Sequence, residues 1–527
     1  MSKAGDIAKV SAKGGFNVLW GLVISTVISS VGVIFIARLL GSDLYGLYAI
    51  VLTAPNLIMI FRNWGVNSAM IKFTAQYKAE GRAEEVRSIF LSGLIFEIAL
   101  GLILSVISFM FSDFLATSVF NRPAIAPLIQ IASFSILTGG LISAATAAFT
   151  GVERMALNSV MIICQSIIKT LLVIALVIVG LSISGAIIGF MTASLIAGLI
   201  GIALMWTIYK NLPKPITLKL EIKAYIKEML KYGVPLSIST IIAGFLTQFY
   251  AFLLPIYYVT NNSMIGNYGI AQTFVVLIGF FATPITTMLF PAFSKLDPQK
   301  DKETLKNVYQ FSIKYASLLV VPVAALVMSL AQPAVSTLFG ATYETAPLFL
   351  ALLSVSYLYT AFGNLSTGNL INSQGQTKLI LKLTLLTIAI GFPMGLVLIL
   401  QFGVIGLIIT SLTAGLPSLF ISLFWIKKHY SVTVDWGSSA RVLLSSTISG
   451  ALTYAVISQL GFASWIRLLL GVAIFVVVLV PALLFTRSIT KSDVRNLRFM
   501  VGGLGILSGL INKVLSLLEK LIIALRL

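Results

Sequence analysis

Apolar stretches of about 20 residues alternate with short polar segments along almost the whole chain. A helix of about 20 apolar residues spans the hydrocarbon core of a bilayer. The pattern therefore predicts an all-α polytopic membrane protein with about fourteen transmembrane helices. We place these spans near residues 16–36, 44–61, 88–111, 124–150, 156–179, 184–209, 233–257, 265–290, 308–330, 346–370, 379–400, 404–426, 442–460 and 468–485.

Basic residues are concentrated in alternate loops. Most of the 36 Lys and Arg residues fall in the loops on one side, whereas the loops on the other side contain only Arg122 and Arg467. Short cytoplasmic loops carry an excess of Lys and Arg, and an even number of spans keeps this alternation intact. We therefore expect a multi-pass protein of the cell membrane, with both termini and the 210–231 loop in the cytoplasm. The net charge of +19 then reflects topology and requires no nucleic-acid partner.

The composition excludes several other classes of protein. Hydrophobic residues make up 58% of the chain, charged residues 10%, and the mean hydropathy is +1.02. A soluble globule could not bury so much apolar surface, and a disordered chain would be far more polar. Cys164 and His429 are the only residues of their types, and no nucleotide-binding or hydrolase motif is present. We expect no cofactor, no metal site and no catalytic residues, so the protein is not predicted to be an enzyme.

Short motifs in the first half of the chain recur in the second half. Gly46-Leu-Tyr48 is repeated as Gly266-Asn-Tyr268, and other matches follow at offsets of 217 to 224 residues. An even number of helices separates the copies, which predicts two parallel six-helix lobes, an architecture found in transporters. The predicted domains are an N-lobe (1–231), a C-lobe (232–430), two further spans (431–487) and a basic tail (488–527). Polar residues on one arc of 503–527 predict an amphipathic tail helix on the inner membrane surface, with a fifteenth span as the alternative.

The segment Arg38-Leu-Leu-Gly41, followed by Gly46-Leu-Tyr48, resembles the first-loop signature of the polysaccharide and O-antigen flippases. Gly65-Val-Asn-Ser-Ala69 and Gly151-Val-Glu-Arg154 resemble two further motifs of that family. The resemblance covers most of the chain. It implies fourteen spans and two lobes around a central cavity. The motifs do not distinguish this family from related branches of its superfamily, which include the peptidoglycan-precursor flippase and the multidrug exporters.

Charged side chains inside predicted spans are candidates for function because a buried charge is costly. The candidate cargo-binding cations are Arg38, Arg62, Lys169, Lys314 and Lys382, although most of them could also snorkel to the headgroups. Glu97 is the only acidic residue well inside a span. We expect it to couple transport to a proton or sodium ion by switching between an unpaired state and an ion pair with Lys169 or Arg38. The alternative is a static ion pair that fixes the third span against the fifth.

Polar residues at helical spacing predict the walls of a wet interior. In the seventh span Ser237, Thr240, Gly244 and Thr247 share one face, which favours close helix packing and a cavity wall equally. In the tenth span Tyr357, Thr360, Asn364 and Thr367 have the same spacing. Tyr and Asn pack less closely than small residues, so we assign Tyr357 and Asn364 to the cavity.

A polar, cationic interior fits a cargo that carries both phosphate and sugar. The sequence therefore predicts a monomeric flippase for a polyprenyl-pyrophosphate-linked oligosaccharide that works by alternating access. The alternatives are a cation-coupled multidrug exporter and a peptidoglycan-precursor flippase. A membrane glycosyltransferase is disfavoured, because the outer loops offer only Asp43, Asp113 and Glu344 as acidic groups.

Overall fold

The computed structural model describes residues 3–213 and 222–501, and six positions of the tail (509, 512, 513, 516, 519 and 520). Within these residues the chain is almost entirely helical and contains no β-strand. The loop segment 214–221 and most of the predicted amphipathic tail helix lie outside the described residues. The helices are α1 Lys3–Met59, α2 Val66–Ala79, α3 Ala83–Met110, α4 Ser112–Phe114, α5 Ala126–Ser133, α6 Ser135–Gly151, α7 Met155–Leu176, α8 Ser182–Lys210, α9 Ile222–Tyr257, α10 Asn262–Ser294, α11 Lys302–Ser329, α12 Ala331–Phe339, α13 Ala346–Leu358, α14 Asn364–Ser373, α15 Thr377–Thr413, α16 Leu416–Tyr430, α17 Trp436–Gln459, α18 Ser464–Phe485 and α19 Lys491–Val501.

The prediction of an all-α multi-pass membrane protein is confirmed. In the described part of the chain, ten helical segments are long and apolar enough to cross a membrane, or eleven if one bent pair counts as a span. Three of them, Gly21–Arg62, Met155–Lys210 and Thr377–Tyr430, have 42, 56 and 54 residues. At 1.5 Å per residue they are about two to three times as long as a bilayer core requires. The count of fourteen stays a prediction.

Glycines with left-handed backbone angles interrupt each of these three long segments. Gly41, Gly180 and Gly403 have φ angles of 73°, 96° and 58°. Such angles are unfavourable for residues with a Cβ atom, so glycine is the residue that permits the break. Each of these three glycines lies between two of the spans predicted from the sequence.

The chain divides into two compact units by its internal contacts. The first contains residues 1–269 and 391–407, and the second contains residues 270–390 and 408–527. The predicted domain boundaries at residues 231, 430 and 487 stay predictions.

Within the first unit, α1 and α7 pack closely through small residues. A Cβ atom on Gly21 would lie 2.4 Å from Cβ of Ser159, and one on Gly32 would lie 2.4 Å from Oγ1 of Thr170. The two contacts are eleven residues apart on both helices and run in the same direction, so α1 and α7 are parallel. Small residues let membrane helices approach in this way.

A buried arginine holds the end of α9 in the same unit. Arg122 is 9% exposed and donates hydrogen bonds to the backbone oxygens of Pro255 (3.0 Å) and Tyr258, and to Oδ1 of Asn262 (2.9 Å). The last carbonyls of a helix have no partner within the helix. Arg122 supplies donors to them and ties the end of α9 to the segment that precedes α5.

Within the second unit, α11 packs against α13 and α17. The span formed by α13 and α14 bends by 55° at Gly363, where the φ angle is 84°. After the bend, Thr367 of α14 forms a buried hydrogen bond of 2.8 Å with the hydroxyl of Tyr309 on α11. Because the span bends at Gly363, the residues before and after this glycine do not follow one continuous helical face.

Candidate functional site

A cavity of about 510 Å³ lies inside the first unit, where α1, α2, α6 and α9 meet. Most of its lining residues are polar, with four primary amides, one guanidinium group and two hydroxyls among them. The lining residues are Asn56, Met59, Ile60, Arg62, Asn63, Asn67, Ser143, Thr240, Gly244 and Gln248. This composition suits a ligand that offers many hydrogen-bonding groups.

The end of α1 turns Arg62 towards this cavity. Residues Ile60–Arg62 tighten into a 3-10 turn, and Gly65 adopts a φ angle of 75° before α2 begins. A Cβ atom on Gly65 would lie 2.2 Å from the backbone oxygen of Gly233 on α9. Glycine is thus required twice at this position, for the backbone angle and for the close approach of α9.

Arg62 forms a buried ion pair with Glu97. Nη1 of Arg62 donates to Oε2 of Glu97 at 3.0 Å, and Nη2 donates to Oγ of Ser143 at 3.1 Å. The other carboxylate oxygen of Glu97 accepts a hydrogen bond of 2.9 Å from Nδ2 of Asn67. Glu97 is 1% exposed, so these partners compensate the cost of burying its charge.

Two polar atoms beside the cavity are buried and have no hydrogen-bond partner among the described residues. They are Nε of Arg62 and Oδ1 of Asn67. One is a donor and the other an acceptor. An unsatisfied buried polar atom costs about 1–3 kcal/mol, which a ligand with a complementary acceptor and donor would recover.

The partner of Glu97 differs from the one that the sequence predicted. The expected partners were Lys169 or Arg38, and the structure provides Arg62 instead. Nζ of Lys169 lies 5.6 Å from the ring centre of Phe190, away from the cavity wall. Arg38 is exposed at its position on α1. Both residues stay candidate cargo ligands.

The two cationic candidates of the second unit have different surroundings. Nζ of Lys314 donates to Oδ2 of Asp493 at 2.6 Å, in a pair that joins α11 to α19. Lys382 is exposed on α15. A role of either residue in cargo binding stays a prediction.

The bend at Gly363 interrupts the polar stripe predicted on the tenth span, and the assignment of Tyr357 and Asn364 to the cavity stays a prediction. The bend at Gly363 separates Tyr357 from Asn364, because the 3-4-3 spacing keeps residues on one face only in a continuous helix. Tyr357 donates its hydroxyl to the backbone oxygen of Val275 at 3.1 Å, and Asn364 is exposed at the start of α14. Thr360 is buried.

On α9, the face predicted from the 3-4-3 spacing contributes both to the cavity wall and to helix packing. Thr240 and Gly244 line the cavity, whereas Ser237 is buried beside Gly65. Five of the polar lining residues were not among the candidates predicted from the sequence. These are Asn56, Asn63, Asn67, Ser143 and Gln248. A signal was available for Asn63 and Asn67, which are four residues apart beside Gly65 and would share a face of a helix.

Comparison with known proteins places the chain in a family. A family model described as "polysaccharide biosynthesis protein" matches residues 35–347. An uncharacterised membrane protein of Methanocaldococcus jannaschii is 22% identical over 407 residues, which are 74% of this chain and 79% of that protein.

Two solved structures of transporters share the fold. The lipid II flippase MurJ in an inward closed conformation has a TM-score of 0.70 at 17% identity, covering 89% of this chain and 98% of that chain. An inward-facing MATE family multidrug resistance transporter has a TM-score of 0.60 at 17% identity, covering 77% of this chain and 94% of that chain. The family model spans more than half of the sequence. The chain therefore belongs to the polysaccharide biosynthesis protein family and has the fold of the MOP-superfamily membrane transporters.

Proposed function

We propose that the protein is a flippase that moves a polyprenyl-pyrophosphate-linked oligosaccharide across the cell membrane. The observation that carries the proposal is the amide-rich cavity around Arg62 and Glu97. Amide and hydroxyl groups bind the hydroxyls of a glycan, and a guanidinium binds phosphate oxygens in charge-assisted hydrogen bonds. Membership of a polysaccharide biosynthesis family supports the same class of cargo.

Arg62 and Glu97 are the proposed link between cargo and ion. Nε of Arg62 has no partner among the described residues and can donate to a phosphate oxygen, while Nη1 is held by Glu97. Protonation of Glu97 would remove the negative charge that competes with the cargo phosphate for Arg62. A proton or sodium gradient could therefore drive transport through this pair, and no nucleotide would be required.

Reconstituted proteoliposomes test the proposal. A fluorescent polyprenyl-pyrophosphate oligosaccharide is incorporated, and the fraction that becomes accessible to an external quencher is followed with time. Arg62→Gln should slow this step at least about 10-fold, since one charge-assisted hydrogen bond is worth about 1.5–3 kcal/mol. Lys78→Gln is the matched control, because Lys78 forms an ion pair with Glu153 on the exposed surface.

Equal rates for the Arg62→Gln and Lys78→Gln variants would contradict a role of the cavity in cargo transport. The same vesicles can carry lipid II or a cationic dye in place of the oligosaccharide. Transport of lipid II but not of the oligosaccharide would favour a peptidoglycan-precursor flippase. Transport of the cationic dye but not of the oligosaccharide would favour a multidrug exporter.

The other cationic candidates are proposed to contact the pyrophosphate at other stages of transport. Lys169→Ala and Arg38→Ala should abolish glycan export while protein levels stay normal, because charge-assisted contacts to phosphate need a cation. Normal export by both variants would contradict a cationic cargo-binding cavity. We further propose that the protein works as a monomer with both termini in the cytoplasm.

A further inference from the structure

A buried carboxylate joins the last described helix to α11 in the second unit. The side chain of Asp493 is 2% exposed and accepts hydrogen bonds from Nζ of Lys314 (2.6 Å) and the hydroxyl of Tyr315 (3.3 Å). Nδ2 of Asn496, one turn further along α19, donates to the same Tyr315 hydroxyl at 3.2 Å. Val494 is 1% exposed. One face of α19 is thus fixed against α11.

The same carboxylate also starts α19. Oδ2 of Asp493 accepts from the backbone nitrogen of Thr490 at 2.8 Å and from its Oγ1 at 2.6 Å. The backbone nitrogen of Asp493 donates back to Oγ1 of Thr490 at 3.4 Å. This reciprocal arrangement is a capping box, which satisfies backbone donors at a helix start. Asp493 therefore both caps the start of α19 and anchors this helix to α11.

The outward side of this helix is basic. Lys491 and Arg495 are exposed and lie four residues apart, so they share one face. Arg487, just before the helix, is exposed as well. We call these three residues the basic face. Arg498 is not counted, because it pairs with Glu519 at 2.8 Å.

The basic face lies next to a membrane span. The helix α18 covers Ser464–Phe485, is long and apolar enough to cross a membrane, and ends only six residues before Lys491. Six residues reach at most about 20 Å, so the basic face stays close to the membrane surface. At the end of α18, Thr486 forms a hydrogen bond of 2.8 Å with Ser445 of α17. Exposed Arg441 lies one turn before Ser445 and adds another positive charge near this end of the bundle.

We propose that the basic face of α19 binds the phosphate headgroups of anionic lipids in the leaflet next to the end of α18. Positive side chains attract anionic headgroups within a Debye length of the surface. The buried joint to α11 holds α19 so that Lys491 and Arg495 point away from the protein. Lipid binding at this face is separate from the cavity around Arg62 and does not depend on the proposed cargo.

An environment-sensitive fluorophore on the basic face tests this proposal. In the full chain with Cys164→Ser, Ser492→Cys carries the label, because Ser492 is exposed between the two basic residues. The protein is placed in nanodiscs of phosphatidylcholine with a rising fraction of phosphatidylglycerol. We expect the emission to shift to shorter wavelength and iodide quenching to fall as that fraction rises.

Two double variants provide the comparison. Lys491→Gln with Arg495→Gln should weaken the response roughly 30-fold, which follows from about 1 kcal/mol per basic residue. Lys302→Gln with Lys306→Gln removes the same charge from exposed positions of α11 and should leave the response unchanged.

Equal responses of the two double variants would overturn the proposal. A response to inorganic phosphate in discs of pure phosphatidylcholine would do so too, because it would show that no anionic lipid is needed. A response to polyglutamate without one to phosphatidylglycerol would assign the face to an acidic protein instead.

Discussion

At the scale of single residues, two buried carboxylates each form an ion pair with a cation that is distant in the sequence. Arg62 and Glu97 are 35 residues apart, and Lys314 and Asp493 are 179 residues apart. The carboxylate of each pair has additional hydrogen-bond donors, from Asn67 in the first case and Thr490 in the second. Removal of one member of such a pair leaves an uncompensated buried charge.

Glu97→Gln should therefore destabilise the protein by about 3–5 kcal/mol, because Arg62 would keep its charge without a partner. Thermal unfolding in detergent measures this effect. The double variant Glu97→Gln with Arg62→Met should be less destabilised than the sum of the single variants. Glu153→Gln, which breaks an exposed pair, is the control and should cost no more than about 1 kcal/mol.

The same variant separates a static pair from an ion-coupling pair. Coupling predicts that Glu97→Gln transports cargo without any response to an imposed proton or sodium gradient. A stable Glu97→Gln variant with an unchanged gradient response would contradict both interpretations.

The contact between α19 and α11 through Asp493 should weaken only in strongly acidic solution. Burial raises the pKa of the Asp493 carboxyl, but hydrogen bonds from Lys314 and Thr490 outweigh burial and hold the pKa below its usual value of 3.8. A lowered pKa in the folded state stabilises the joint above the unfolded pKa, and this contribution is lost as the pH falls through the folded pKa.

The Ser492→Cys label should therefore report an unchanged environment from neutral pH down to about pH 5, and greater mobility only below pH 3.8. Asp493→Asn should show the greater mobility already at neutral pH, because it loses the charge that pairs with Lys314. If α19 of the parent protein separated from α11 near neutral pH, the lowered pKa of Asp493 would be contradicted.

At the scale of helices, glycines decide how closely two elements approach. Gly46 on α1 and Gly266 on α10 occupy equivalent positions in the predicted repeat, and they meet in the structure. A Cβ atom on Gly46 would lie 1.9 Å from the backbone oxygen of Asn262. One on Gly266 would lie 2.1 Å from the backbone oxygen of Ser42. Backbone atoms cannot move aside as a flexible side chain can.

Gly266→Ala should therefore force α1 and α10 apart and cost about 1–3 kcal/mol, as overpacking typically does. Gly269→Ala, one turn further along α10, is the matched control, because its Cβ atom would meet Tyr45 at an ordinary 3.4 Å. Melting temperatures of the two variants in the same detergent measure the difference. Equal melting temperatures would show that the contact between α1 and α10 is not tight.

At the scale of the whole molecule, the distribution of basic residues predicts the orientation in the membrane. In a Cys164→Ser background, Thr342→Cys should react with a membrane-impermeant maleimide added to intact cells, since Thr342 is exposed and assigned to an outer loop. Lys219→Cys, in the predicted cytoplasmic loop, should react only after the cells are opened. Labelling of Lys219→Cys from outside would contradict the predicted topology.

The sequence by itself determined the class of the protein and the approximate course of most helices, and it singled out Arg62 and Glu97 as candidates for function. Hydropathy and helical period act over about 20 consecutive residues, and the cost of an intramembrane charge can be recognised from one position. The glycines at Gly41, Gly180 and Gly403 likewise lie where the sequence placed breaks between spans.

Only the tertiary structure decided which groups meet. Glu97 contacts Arg62 and not Lys169, because helix packing sets the neighbours of a side chain and no local pattern encodes it. The bend at Gly363 separated Tyr357 from Asn364, although their spacing fits one face of a straight helix. The amide wall of the cavity depends on α1, α2, α6 and α9 meeting, and each amide taken alone is an ordinary polar residue in its own segment.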